Sequence, residues 1–134
     1  MEDGEALEPT DAASPGDPTA LQIVRRSVTL AGLEAMAESM FGNLVKAVVD
    51  LERGIMAVGG EMHADEEALL LGDGSPQVGL WGINLYPAEF GNARFIEFDS
   101  VINIRPRQGN RTRSVDDATA RAAIVAIVDR LVIR

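Results

Sequence analysis

A chain of 134 residues without cysteine, carrying a formal net charge of −9, is sized for one domain and has no disulfide, thiolate metal site or cysteine nucleophile. Its 46% hydrophobic and 25% charged content is that of a soluble globular domain, which at this size buries roughly two-thirds of the surface its unfolded chain exposes. No apolar run approaches the roughly 20 residues of a membrane helix, and the N-terminus lacks the basic and apolar regions of a secretory signal, so a cytoplasmic protein without membrane contact is expected.

Residues 1–20, "MEDGEALEPTDAASPGDPTA", hold six acids and no base, with Pro and Gly interspersed. Such a segment buries too little to offset its ordering entropy, so a disordered acidic tail is expected, followed by a single domain over 21–134. "QIVRRSVT" reads as a short strand, and Thr29 as the N-cap of a helix. In "LAGLEAMAESMFGNLVKAVVDLERG", apolar residues from Leu30 to Leu51 recur at three- and four-residue spacing, which predicts one long helix closed by Gly54. Met36, Met40 and Phe41 on that stripe read as core filling rather than a ligand pocket.

"IMAVGGEM" predicts a strand in which Gly59 and Gly60 mark a bulge or a close backbone approach. "HADEEALLLG" predicts a short helix with acids near its positive end. "LWGINLYP" is a strand ended by Pro87, and "RFIEFDSVINIR" the longest strand, stopped by Pro106. A last helix starts at Asp116 or Asp117 and buries Ala120, Ile124, Ile127, Val128 and Leu131. The order β-α-β-(short α)-β-β-α makes an α+β two-layer sandwich, with a four-stranded mixed sheet and two main helices.

Alternation along the strands splits them into faces. If the helices cover the apolar face, the other gathers Glu61, His63, Asn84, Tyr86, Glu97 and Asp99. Carboxylates beside one histidine suit a hard divalent ion with an activated water, or a general acid and base, so a metal-dependent hydrolase using Glu61, His63, Glu97 and Asp99 is one function class. The same face is also what an antiparallel sheet covered on one side shows for solubility alone.

"RPRQGNRTRS" places Arg105, Arg107, Arg111 and Arg113 within nine residues, a third of all the bases of an acidic chain. Guanidiniums fork onto phosphate or carboxylate oxygens, Gln108 and Asn110 add neutral donors, and Gly109 permits a turn whose N–H groups converge into an anion nest. Asp116 and Asp117 follow closely and offer internal counter-charges.

Together, "KAVVDLERGIMAVGGEMHADEEALLL", "LWGINLYP" and "FIEFDSVINIRPRQGNRTRSVDD" resemble a family of small uncharacterised bacterial and archaeal proteins classed as a domain of unknown function, over about residues 24–132. The resemblance implies a single-domain protein and assigns no activity, cofactor or site residue. The residues therefore carry the functional expectation: a binding or regulatory module whose ligand-binding residues are Arg105, Arg107, Gln108, Asn110, Arg111 and Arg113. Its partner would be a phosphate-bearing small molecule or RNA. The 4% aromatic content and the negative charge weigh against RNA, which needs stacking platforms and a basic surface. A structural role in a homodimer is the third class.

Overall fold

The computed structural model describes residues 17–134. The expected disordered tail lies, for residues 1–16, outside the described residues. Asp17–Ala20 form a turn in which the Asp17 carboxylate accepts from the Thr19 N–H and hydroxyl at 2.9 and 2.7 Å.

In chain order the elements are β1 (Gln22–Val24), β2 (Val28–Thr29), α1 (Leu30–Ser39), β3 (Val45–Asp50), β4 (Ile55–Val58), α2 (His63–Gly72), β5 (Leu80–Leu85), β6 (Ile96–Glu97), α3 (Ala118–Leu131) and β7 (Val132–Ile133). The main sheet runs β1-β4-β3-β5-β6 and is antiparallel at every pairing, while β2 and β7 form a separate parallel pair. The class is α+β, as expected, with five strands in the sheet rather than four.

The added strand comes from the long helix predicted over residues 30–54. Only Leu30–Ser39 is helical, capped by the Thr29 hydroxyl, which accepts the Gly32 N–H at 3.0 Å. Gly42, at φ 92°, then turns the chain, its N–H bonded to the Ala37 carbonyl at 2.7 Å. Val45–Asp50 becomes the central strand, with every residue buried except the half-buried Lys46. A strand covered on both faces has no polar alternation to show, so its valines mimic a helix stripe when joined to α1. Asp50 makes the next turn, its Oδ1 accepting the N–H groups of Glu52 and Arg53 at 2.9 and 3.1 Å. Met40 and Phe41, expected in the core, are exposed, whereas Met36 is buried.

Both sheet faces carry apolar packing. Ala47 and Val49 pack with Leu33 and Met36 of α1 and with Ile124 and Val128 of α3. Val48 points the other way, to Leu70 of α2 and Leu80 of β5. The second face is thus not the open polar surface that strand parity suggested.

The segment expected to be the longest strand pairs as a strand only at Ile96–Glu97. After Asp99 the chain crosses over β5 and enters a 3-10 turn at Val101–Asn103, where the Ser100 hydroxyl accepts the Ile102 N–H at 3.2 Å. Gly82 makes the crossing feasible, since a Cβ there would stand 2.6 Å from Ser100 Cβ. Asn103 then binds Gly82 as a neighbouring strand would, accepting its N–H at 2.8 Å and donating to its carbonyl at 2.9 Å. Gly82→Ala is expected to cost about 2 kcal/mol by forcing the two segments apart. Urea unfolding checks this, and an unchanged midpoint would refute the close crossing.

Candidate functional site

Three polar side chains line up in register across the sheet: Lys46 on β3 opposite Asn84 on β5, and Asn84 opposite Glu97 on β6. Directly opposite residues share a face, so the three form one row. The Asn84 Nδ2 and the Tyr86 hydroxyl both donate to Glu97 Oε1 at 2.9 Å. Burial, and then the Glu97 bond, raise the Tyr86 pKa and keep its proton on. Asn84 is 5% exposed, and its Oδ1 is buried without a partner.

His63 opens α2 beside this row. Its Nε2 lies 2.7 Å from the Ile83 carbonyl of β5. A carbonyl only accepts, so Nε2 carries the proton and Nδ1 keeps its lone pair. Burial lowers the His63 pKa, partly opposed by the Ile83 bond, so the ring is neutral at pH 7. Lys46, Asp99 and Arg113 are near enough to act on its charge. Asp99 is held below the ordinary carboxyl range chiefly by Arg113, whose Nε donates to it at 2.6 Å.

Of the four proposed catalytic acids and bases, His63, Glu97 and Asp99 therefore gather, and Glu61 does not. Glu61 is exposed on the turn before α2, beside a hollow bordered by Ala20, Leu21 and Met40. Among the described residues no three His, Asp or Glu side chains form a group that could hold a metal ion.

Two members escaped the sequence. Lys46 was placed within a helix. Glu66 read only as one of the acids near the start of a short helix, yet it is fully buried. Its Oε2 accepts the Gly60 N–H at 2.9 Å, and Oε1 has no partner. Burial pushes its pKa well above the ordinary value, against the opposing pulls of the Gly60 bond and Lys46, so the neutral acid is favoured. The spacing of His63, Glu66 and Leu70, three and then four residues apart, was the available signal that they share the buried face of α2. Gly60 is one of the two glycines expected at a close approach, and a Cβ there would stand 2.8 Å from Glu66 Cγ.

The arginine loop divides into braces and solvent-facing groups. The Arg105 guanidinium lies 4.2 Å over the Trp81 ring and donates to the carbonyls of Gln77, at 2.7 Å, and Leu80. Gln108 donates to the Val78 carbonyl at 3.1 Å. Asn110 is the hub: its Nδ2 reaches the carbonyls of Asn103, Thr112 and Ser114 at 2.7, 3.1 and 2.7 Å, and its Oδ1 accepts the Asp116 N–H at 2.7 Å. Arg105, Gln108 and Asn110, expected to contact ligand, are instead engaged within the protein.

Gly109 takes the expected left-handed turn at φ 82°, but no nest forms. The N–H groups of residues 108–110 bond to the carbonyls of Arg105 and Pro106, and that of Arg111 to Asp116 Oδ2 at 3.2 Å. Asp117 caps α3, accepting from Thr119 and Ala120. Arg113 pairs with Asp99, while Arg107 and Arg111 are exposed and form no ion pair with another described residue. The Arg113–Asp99 pair joins the loop to the polar face.

No helix among the described residues is long and apolar enough to cross a membrane. Comparison with curated proteins and with solved structures finds no match to the chain. The model of a family described as a protein of unknown function (DUF5674) matches residues 22–131, which takes in every element from β1 through α3 together with the polar row and the arginine loop. The chain belongs to that family.

Proposed function

We propose that the chain is a binding module for a phosphate-bearing small molecule, contacted by Arg107, Arg111 and Arg113. The observation that carries this reading is a loop fixed from within by Asn110 and Arg105 that still leaves the Arg107 and Arg111 guanidiniums facing solvent. A preformed loop loses less entropy on binding than a mobile one, and guanidinium forks match phosphate oxygens. RNA is the weaker partner: the one tryptophan is buried, with Arg105 over its ring, so the loop has no stacking platform.

Calorimetry with inorganic pyrophosphate tests the proposal. Arg107→Ala with Arg111→Ala is expected to weaken binding roughly tenfold and to flatten its salt dependence, since charge-assisted contacts contribute most in low salt. The melting temperature should hold, because exposed charges contribute little to folding. No heat with the native protein, or equal affinity in the double variant, would refute it. The hydrolase alternative has no metal-holding group among the described residues to carry it.

A further inference from the structure

We propose that the groove between α3 and the segment around β6 is a second binding site, which takes an apolar monocarboxylate of the arylalkanoate class with its carboxylate on Arg121. The proposal goes beyond the phosphate-binding reading and does not depend on it, because none of the loop arginines lines the groove.

The groove encloses about 560 Å³, within the roughly 300–1,000 Å³ of small-molecule sites. One wall comes from "FGNARFIEF", which carries Phe90, Phe95, Ile96 and Phe98. Phe95 is buried and meets Phe90 edge-on, with ring centres 5.2 Å apart. Phe90, Ile96 and Phe98 are only half-buried, so apolar surface remains open along this wall. The other wall is α3, where Arg121, Val125 and Asp129 follow one another at four-residue spacing and share a stripe of the helix. Val125 stays 37% exposed in the middle of that stripe. Aromatic side chains favour an aromatic partner, which packs against them edge-to-face or offset.

Arg121 decides the head group. Its Nη1 donates to the carbonyls of Val115 and Asp116 at 2.6 and 3.3 Å, which fixes the half-buried guanidinium. Its Nε and Nη2 donate to no other described residue. Those N–H groups project from one edge of the planar group, the fork that a carboxylate accepts with both oxygens. Among the described residues Arg121 is the only base lining the groove, so a single negative charge on the ligand matches it. Arg134, 4.9 Å over the Phe90 ring, adds positive potential beside the groove. Asp129 stands two turns along α3, roughly 12 Å farther by the helix rise. A second anion at the far end of the ligand would meet that carboxylate, which favours a monocarboxylate over a dicarboxylate.

Calorimetry of the full chain with phenylpropionate, phenylpropanol and acetate tests the proposal. Phenylpropionate is expected to bind roughly tenfold tighter than the alcohol, for one charge-assisted contact, and acetate, without the apolar body, to give no measurable heat. Arg121→Gln should bring the acid down to the affinity of the alcohol. Val125→Glu, at an exposed helix position that glutamate suits, should abolish binding of both by setting a charge in the middle of the groove, with the melting temperature unchanged. Should Arg121→Gln fail to fold, Val125→Glu and the contrast between acid and alcohol still decide. Equal affinity for acid and alcohol, or undiminished binding of the acid in Val125→Glu, would overturn the inference. A dimer that Val125→Glu dissociates, with no phenylpropionate bound by the native protein, would give the groove to a second copy of the chain and overturn it as well.

Discussion

Asn103→Leu is expected to lower the unfolding free energy by about 4 kcal/mol, because it leaves several buried backbone groups unsatisfied at roughly 1–3 kcal/mol each. Asn103 is fully buried. Its side chain holds the N–H and carbonyl of Gly82 at 2.8 and 2.9 Å and the Arg113 carbonyl at 2.9 Å. Leucine fills a similar volume but returns none of these bonds. Since the Asn103 carbonyl also receives the Asn110 amide at 2.7 Å, the damage should spread into the arginine loop. Denaturant unfolding measures the total, and amide exchange at Gly82 locates it. A loss under about 1 kcal/mol would mean that water replaces the side chain and the crossing is not held by Asn103. Asn103→Asp separates the roles, because it keeps an acceptor for the Gly82 N–H and loses both donated bonds.

That crossing also explains which parts of the molecule were legible beforehand. Thr29 was readable as a cap, and Asp116 or Asp117 as another, because such chemistry is local; the structure uses Thr29 and Asp117. The buried stripe of α3 was readable for the same reason, since Ala120, Ile124, Val128 and Leu131 obey a period set within one element, while Ile127, also expected there, is only half-buried at its margin. Strand β3 was not, because its neighbours on both sides are apolar and the pattern of a doubly buried strand carries no period of its own. The arginine cluster was visible by composition, but its division of labour was not. Arg105 becomes a brace only because Trp81 and the carbonyls of Gln77 and Leu80 come together beneath it. Parity placed Glu61, His63, Asn84, Tyr86, Glu97 and Asp99 on one side; the structure brings together all but Glu61, which is exposed on the turn before α2, and Asp99 arrives by a bend rather than along a continuous strand.

Glu66→Gln should change the pH dependence of stability. Burial raises the Glu66 pKa in the folded state above its unfolded value. Its contribution is therefore fully present below the unfolded value, near pH 4.5, and is lost as pH rises toward the folded pKa. Within that window the unfolded chain has released a proton that the folded chain still holds, so this group costs up to about 1.4 kcal/mol per pH unit. Other groups act with the opposite sign. Asp73, lowered by Arg25 and then Arg53, and Asp99, lowered by Arg113, contribute stability that is lost in acid. His63, lowered by burial, contributes stability that is lost as pH falls below the ordinary histidine value. Comparing the two proteins isolates Glu66, since these other contributions are common to both. Glutamine keeps an oxygen to accept the Gly60 N–H and cannot ionise. Urea unfolding from pH 4 to pH 9 should show the two proteins close together at the acid end, with the variant increasingly the more stable above it. Parallel curves over the whole range would mean that Glu66 ionises in the fold as readily as in the unfolded chain, with Lys46 or water meeting its second oxygen.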